Sequence, residues 1–137
     1  MKALFDTNIL IDYLKGLEPA ESELGRHRQR LISRVTWVEV QAGVRNEEEA
    51  DVVEMFLRDF EVIELTRAIA REAAEIRRNT RIRLPDAVIW ASARHESALL
   101  VTRNTKDFPA DEPGIRIPYQ FWSGPRVVCP EGQGRKS

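Results

Sequence analysis

The sequence predicts an α/β fold in which helices cover both faces of a parallel sheet of four to five strands. Short apolar runs typical of buried strands alternate with longer segments whose apolar residues recur at helical spacing. This alternation favours right-handed crossovers and a parallel sheet. The length of 137 residues and the hydrophobic content of 42% suit a single domain. We place that domain at residues 1–122, before a loosely ordered tail at 123–137.

The first predicted elements are one strand and two helices. Ala3-Leu4-Phe5 is a short apolar run, and residues 9–14 carry apolar side chains at helical spacing until Gly16 ends the helix. Pro19 fits the first turn of a second helix, which extends to about Arg30.

Caps and apolar runs mark the central elements. Leu31-Ile32-Ser33 predicts the second strand, and a helix begins at Thr36. Asn46 caps a further helix that runs to about Asp59 and has an acidic first turn. Residues 62–65 predict the third strand.

The last elements repeat the pattern. Thr66 caps a long helix that runs to about residue 79, and Pro85 lies in the first turn of a helix that runs to about residue 97. Residues 98–101 predict the fourth strand, and residues 115–117 are the candidate fifth strand.

Four acidic residues fall where these elements begin or end. Asp6 follows the first strand and Asp107 follows the fourth by a short loop, whereas Glu39 and Asp86 lie near the starts of helices. Ligands of parallel sheets gather outside the carboxyl ends of the strands. If both helices start at that edge of the sheet, the four carboxylates converge there.

Each acid also has an ordinary structural explanation. Glu39 fits a capping box with Thr36, and Asp86 fits a first-turn acid that the helix dipole favours. Asp6 suits a helix cap, and Asp107 suits a turn. Four acids at one edge, however, repel one another by about 1 kcal/mol per pair at 4 Å in water, and by more when partly buried. Their convergence therefore favours a site that binds a cation.

A hard divalent cation with oxygen ligands offsets such repulsion. Mg²⁺ or Mn²⁺ binds through a few carboxylates, keeps water and phosphate ligands, and assists the attack of water on phosphorus. The single cysteine, Cys129, and the two histidines, His27 and His95, are too few for a thiolate or zinc site. The acids therefore predict phosphodiester hydrolysis.

Arginines are the candidate contacts to a nucleic-acid backbone. Arginine outnumbers lysine 17 to 4, although the net charge is only −1. The guanidinium fork suits phosphate, and the alternative is an ordinary solvated helix face. We choose Arg81, Arg83 and Arg103 because they flank Asp86 and Asp107 in the sequence.

The hydropathy of the chain bears on its compartment. No apolar run approaches the roughly 20 residues that a membrane helix needs. We therefore expect a cytoplasmic protein that makes no contact with a membrane.

Ordered motifs along the chain carry a resemblance to a known family. They are Phe5-Asp6-Thr7-Asn8-Ile9-Leu10-Ile11-Asp12, then Thr36-Trp37-Val38-Glu39-Val40 with Gly43, then Leu84-Pro85-Asp86-Ala87 and the segment 100–108. Over nearly its whole length the chain resembles a PIN domain, and most of all the VapC-type toxins of prokaryotic toxin–antitoxin operons. The resemblance implies a three-layer α/β/α fold, a Mg²⁺- or Mn²⁺-dependent endoribonuclease acting on RNA, a homodimer, and inhibition by a small antitoxin.

The resemblance also assigns residues. The catalytic and metal-binding acids are Asp6, Glu39, Asp86 and Asp107, and their polar supports are Thr7, Asn8, Thr102 and Asn104. Asp6 and Asp86 are expected to bind metal most directly. Some PIN proteins have an acid at the position of Asn104, so the last ligand and a count of one or two metal ions stay open.

Three other functions also stay open. A phospho-acceptor protein with Asp6 as its nucleophile is disfavoured, because the Asp-Gly-Thr signature of the haloacid dehalogenase family is missing and Asn8 stands at its second acid position. A catalytically silent PIN-like binding module and a DNA-directed metal nuclease are the other two.

Overall fold

The computed structural model describes residues 1–121, in which helices cover both faces of a five-stranded sheet. The strands are β1 (Lys2–Phe5), β2 (Gln29–Ser33), β3 (Glu61–Ile63), β4 (Leu99–Val101) and β5 (Ile115–Arg116). The helices are α1 (Thr7–Leu14), α2 (Glu18–Gly25), α3 (Arg34–Ala42), α4 (Glu47–Leu57), α5 (Arg67–Asn79) and α6 (Leu84–His95). The predicted domain boundary after residue 122 and the predicted tail at 123–137 lie outside the described residues.

The sheet is parallel throughout and has the strand order β3-β2-β1-β4-β5. β1 lies at its centre, where Leu4 is in register with Leu31 of β2 and with Leu100 of β4. All five strands therefore end at one edge, and the segments that follow them begin side by side. The predicted parallel sheet of four to five strands is confirmed, with the candidate fifth strand reduced to two residues.

Side chains of β1 alternate between two cores, because successive residues of a strand point to opposite faces. Leu4 packs in the core that α5 and α6 cover. Ala3 and Phe5 pack in the core that α1, α2 and α4 cover. Helix α3 contributes Val40 to the second core and Val35 to the edge of the first. The predicted three-layer α/β/α arrangement is confirmed.

Two predicted helix caps are confirmed. The Asn46 side chain accepts a hydrogen bond from the Glu49 backbone N–H at 2.9 Å, at the start of α4. The Thr66 hydroxyl accepts one from the Ile69 backbone N–H at 3.2 Å, at the start of α5. In both cases the cap satisfies a backbone donor that the first turn of a helix leaves without a partner.

Two predicted helix boundaries are wrong. Helix α2 ends at Gly25 rather than near Arg30, because Gln29 and Arg30 already pair with β1. Helix α3 begins at Arg34 rather than Thr36, because the hydroxyl of Ser33 accepts from the Thr36 backbone N–H at 3.1 Å and caps the helix. Strand β2 therefore passes into α3 without an intervening loop. Within residues 1–121, no helix is long and apolar enough to cross a membrane.

Candidate active site

A cleft of about 410 Å³ opens at the carboxyl edge of the sheet. Its walls include three acids from different parts of the chain: Asp6 after β1, Glu39 of α3 and Asp86 of α6. Helix α3 follows β2 and α6 precedes β4, so both helices begin at this edge. Because both helices start at the edge where the strands end, Asp6, Glu39 and Asp86 converge there, as predicted.

Asp6 is almost fully buried and accepts three hydrogen bonds. Its Oδ1 accepts from the Thr7 backbone N–H at 2.7 Å, which makes Asp6 the cap of α1. Its Oδ2 accepts from the Thr102 hydroxyl at 2.6 Å and from the Asn8 side-chain amide at 3.2 Å. Helix capping therefore accounts for Oδ1 of Asp6 only, because Thr102 and Asn8 orient Oδ2.

Glu39 is held by a threonine rather than by its own helix. The Thr7 hydroxyl donates to Glu39 Oε1 at 2.6 Å and lies 3.0 Å from the Thr36 hydroxyl. The alternative capping box between Thr36 and Glu39 is wrong, because Ser33 caps α3. The carboxylate of Glu39 is thus turned toward the residues that follow β1.

Asp86 lies in the first turn of α6, immediately after Pro85. It is 6% exposed, and its Oδ2 lies 3.4 Å from Nη2 of Arg83. The position suits the helix dipole, as the structural explanation expects. The same position also directs a buried carboxylate into the cleft.

Asp107 belongs to a loop that Asn104 organises. The Asn104 side-chain amide donates to Asp107 Oδ2 at 3.0 Å, while its Oδ1 accepts from the backbone N–H groups of Lys106 and Asp107 at 3.1 and 3.2 Å. The Asn104 backbone N–H in turn donates to the Thr102 hydroxyl at 3.0 Å. Asn104 lines the cleft, whereas Asp107 is not among the lining residues and acts on Asp86 through its charge.

The electrostatics show that the acids are near neighbours. Burial, together with the charges of Asp86 and Glu39, raises the pKa of Asp6 to about 6 against the opposing hydrogen bond from Thr102. Burial also raises the pKa of Asp86, as do Asp107 and Glu39, while Arg83 opposes the rise. The cluster therefore contains more negative charge than its protein surroundings neutralise.

The donor chemistry of the cleft fits Mg²⁺ or Mn²⁺. Within residues 1–121, no three acidic, histidine or cysteine side chains stand close enough together to enclose an ion as they are arranged. The residues that line the cleft nevertheless offer hard carboxylate oxygens from three elements, and the charge of Glu39 contributes to the raised pKa of both Asp6 and Asp86. A divalent cation is the partner that relieves such repulsion.

The three predicted backbone contacts occupy different positions. Arg81 is exposed near the start of α6, and Arg83 lines the cleft with a largely exposed side chain. Arg103 also lines the cleft, but its guanidinium is bonded to Asp12 at 2.6 and 3.0 Å. The sequence analysis gave Asp12 no role, although it is an acid directly after the apolar run Ile9-Leu10-Ile11.

The comparisons with known proteins now identify the family. The PIN domain family model matches residues 3–110. The chain belongs to the PIN domain family. No curated protein matches the chain in sequence.

Solved structures of toxin–antitoxin and VapBC complexes contain chains that resemble this one over most of its length. A toxin–antitoxin complex from Klebsiella pneumoniae contains a chain with 39% identity and a TM-score of 0.82, which covers 88% of this chain and 100% of that one. VapBC from Salmonella typhimurium, solved bound to DNA, has 24% identity and a TM-score of 0.72, with coverage of 88% and 98%. VapBC2 from Rickettsia felis, bound to a promoter DNA fragment, has 23% identity and a TM-score of 0.73, with coverage of 88% and 99%. The predicted resemblance to VapC-type PIN toxins is confirmed.

Proposed function

We propose that this PIN domain is the toxin of a VapBC-type pair and hydrolyses RNA phosphodiester bonds with the help of Mg²⁺ or Mn²⁺. One observation carries the proposal: the buried carboxylates of Asp6 and Asp86 line one cleft together with the exposed Glu39, and within residues 1–121 no basic side chain forms an ion pair with Asp6. A cluster of this kind is costly unless a cation joins it.

Each acid has a distinct task in this proposal. Asp6 and Asp86 hold the metal most directly, because both are buried in the walls of the cleft. Glu39 binds it directly or through water, and Asp107 acts through water or beside a second ion. When bound, the metal supplies a water made more acidic and positive charge near the phosphate oxygens.

Polar neighbours keep the acids in position. Thr102 and Asn8 fix one oxygen of Asp6, Thr7 holds Glu39, and Asn104 holds Asp107. Such hydrogen bonds orient ligands, and their loss typically weakens metal binding or activity by about 10- to 100-fold.

Arginines at the cleft provide the contact to RNA in this proposal. Arg83 lies at the cleft with most of its side chain in solvent, and Arg81 is exposed two residues before it. Contacts to phosphate dominate nonspecific affinity and weaken as salt rises. Arg103 was also predicted as such a contact, but its guanidinium is already bonded to Asp12.

A second cavity suits the antitoxin. It has a volume of about 460 Å³, lies between α1, α3 and α4, and is lined by aliphatic side chains that include Ile11, Val40, Val44 and Val52. Val52 is 58% exposed, and Glu48 and Glu49 lie at the same cavity. Lys15 and Arg45 also line it, and Arg45 is paired with Glu49, so the lining fits an apolar segment of the antitoxin. The similar Klebsiella pneumoniae structure is itself a toxin–antitoxin complex.

The antitoxin proposal is tested by co-expression with the protein encoded beside this gene. Val52→Glu is expected to weaken the complex, whereas Leu65→Glu makes the same kind of change at another exposed aliphatic residue and should not. Equal retention of the antitoxin by Val52→Glu and the parent would contradict this placement. The predicted homodimer is checked by light scattering of the same samples, and the predicted cytoplasmic location by cell fractionation.

The experiment for the proposed activity is cleavage of total RNA by protein freed of antitoxin. Reactions contain Mg²⁺, Mn²⁺ or EDTA and compare the parent with Asp6→Asn. Asp59→Asn is the matched control, because it makes the same chemical change at an exposed position. Discrete fragments that require metal, persist in the control and disappear with Asp6→Asn are the expected result.

Two outcomes would contradict the proposal. Absence of cleavage by folded parent protein under every metal would favour a silent binding module. Faster hydrolysis of single-stranded DNA than of RNA in a competition reaction would favour a DNA-directed nuclease.

A further inference from the structure

Asp12 is a buried carboxylate to which the proposed reaction gives no task. It lies on α1 and is 1% exposed. Arg103 donates from Nε to Oδ2 at 2.6 Å and from Nη2 to Oδ1 at 3.0 Å. The Tyr119 hydroxyl donates to Oδ2 at 2.8 Å. Asp12 therefore has a positive partner and three strong hydrogen bonds.

Arg103 lies between two residues that hold acids of the proposed site. Thr102, just before it, donates to Asp6, and Asn104, just after it, donates to Asp107. The Arg103 backbone N–H lies 3.4 Å from Asn8 Oδ1. Its side chain thus anchors the segment that connects the support of Asp6 with the support of Asp107.

The chain after β5 closes over the same segment. The Arg103 guanidinium lies 4.7 Å from the ring centroid of Phe121, within the range of a cation–π contact. Gln120 donates from its side chain to the Thr105 hydroxyl at 3.2 Å. Together with Tyr119, these residues pack the segment 119–121 against the loop that leads to Asp107.

We propose that Asp12, Arg103 and Tyr119 form a clamp that positions the loop 102–107 for metal binding. The inference rests on the proposed function, since that loop carries Thr102, Asn104 and Asp107. A planar guanidinium bonded through two of its nitrogens fixes position and angle together, which a lysine ammonium does not. Arg103 is accordingly a positioning residue rather than a contact to RNA phosphate.

The two possible roles of Arg103 predict different effects of the same substitutions. In a clamp, Asp12→Asn and Arg103→Met weaken Mn²⁺ binding by about tenfold, as loss of a residue that orients ligands does. Arg103→Lys keeps the charge but not the fork, so it restores little. Tyr119→Phe removes one hydrogen bond and keeps the ion pair, so it should lower Mn²⁺ affinity less. This variant still tests the clamp if the substitutions of Asp12 and Arg103 disturb folding.

Mn²⁺ binding by calorimetry without RNA is the first measurement, followed by kcat and KM on a cleaved RNA. The clamp predicts weaker Mn²⁺ binding and lower kcat with KM within about twofold of the parent. A contact to phosphate instead raises KM, leaves Mn²⁺ binding unchanged, is rescued by Arg103→Lys and is untouched by Asp12→Asn. That second pattern would overturn the inference.

A matched control pair lies elsewhere in the fold. Arg116 donates to both oxygens of Glu23, at 2.5 and 2.8 Å, and the side chains are 34% and 3% exposed, against 30% and 2% for Arg103 and Asp12. Arg116→Met is expected to lower the melting temperature about as much as Arg103→Met while leaving Mn²⁺ affinity unchanged. An equal loss of Mn²⁺ affinity would show general loosening of the fold and overturn the clamp.

Failure of the clamp and failure of the proposed function look different. A parent that binds Mn²⁺ and cleaves no RNA contradicts the function, while Mn²⁺ affinities of the variants still test the clamp. A parent that binds and cleaves beside variants that do the same contradicts the clamp alone. A parent that binds no Mn²⁺ contradicts both.

Discussion

Two groups of buried carboxylates in this molecule have opposite surroundings. Asp6 and Asp86 at the cleft are 3% and 6% exposed, and Asp12 and Glu23 elsewhere are 1% and 3% exposed. Asp12 and Glu23 each receive two hydrogen bonds from one arginine. In the described part of the chain, Asp6 has no basic partner, and Asp86 has one partner at 3.4 Å.

The pKa values of Glu23 and Asp6 are shifted in opposite directions. Burial alone would raise the pKa of Glu23, but hydrogen bonds from Arg116 and His27 outweigh it and leave that pKa below its usual value. Burial raises the pKa of Asp6 to about 6, with added repulsion from Asp86 and Glu39. The difference teaches that a buried acid belongs to a cation site when the fold withholds its counter-charge, and to the framework when the fold supplies it.

The largest effect is expected on cleavage. Asp6→Asn should reduce the rate of RNA cleavage by at least about a thousandfold, because loss of a metal-binding carboxylate forfeits several kcal/mol of transition-state stabilisation. Glu23→Gln should leave the rate per folded molecule unchanged. Initial rates with labelled RNA measure both, and a Glu23→Gln rate as low as that of Asp6→Asn would erase the distinction between the two groups.

The next largest effect is expected on stability, for the buried acids that an arginine neutralises, Asp12 and Glu23. Glu23→Gln should lower the free energy of unfolding by about 3 kcal/mol, because it leaves Arg116 without its counter-charge. Removing both partners by Glu23→Gln with Arg116→Met should cost less than the sum of the single changes. Urea unfolding of the four proteins measures the coupling, and additive losses would show that the pair contributes no coupling energy.

Replacing Asp6 at the cleft should instead raise the stability of the protein, by an amount that depends on pH. The pKa of Asp6 is raised from 3.8 to about 6, so the folded protein holds this proton more tightly than the unfolded chain does. The associated stability is fully present below about pH 4 and is lost as the pH rises through about 6. Without metal, Asp6→Asn should therefore match the parent near pH 4 and exceed it by up to about 3 kcal/mol above pH 7.

Thermal unfolding at several pH values, in EDTA, measures this difference. Mg²⁺ should stabilise the parent, by about 2.7 kcal/mol at a concentration one hundred times its Kd, and stabilise Asp6→Asn much less. A variant less stable than the parent at every pH would favour the capping role of Asp6 over the cation site.

The smallest effect concerns Arg83, which belongs to neither group. It lies 3.4 Å from Asp86 but exposes 72% of its side chain, so it remains accessible to a phosphate. Arg83→Met and Arg81→Met should each reduce the salt dependence of RNA binding by about one counterion. Arg58→Met, at another exposed arginine, is the control for Kd measured between low and high salt. An unchanged slope for both variants would remove these arginines from the RNA contact.

Much of the fold was predictable because its signals are local. Asn46 and Thr66 cap helices through hydrogen bonds to residues three positions later, so a short stretch of sequence determines each cap. The start of α3 was predicted wrongly because Ser33 both ends a strand and caps a helix, so no loop separates the two elements. The end of α2 was wrong for a similar reason, since pairing with β1 draws Gln29 and Arg30 into β2.

The sequence by itself determined which acids stand at the ends of strands and the starts of helices, because apolar periodicity and caps depend on near neighbours. Only the tertiary structure decided which acids receive a counter-charge. Asp12 and Arg103 are 91 residues apart, and Glu23 and Arg116 are 93 apart. Ion pairs over such separations depend on sheet order and helix packing, so no local pattern distinguishes Asp12, which Arg103 neutralises, from Asp6, which has no basic partner in the described part of the chain.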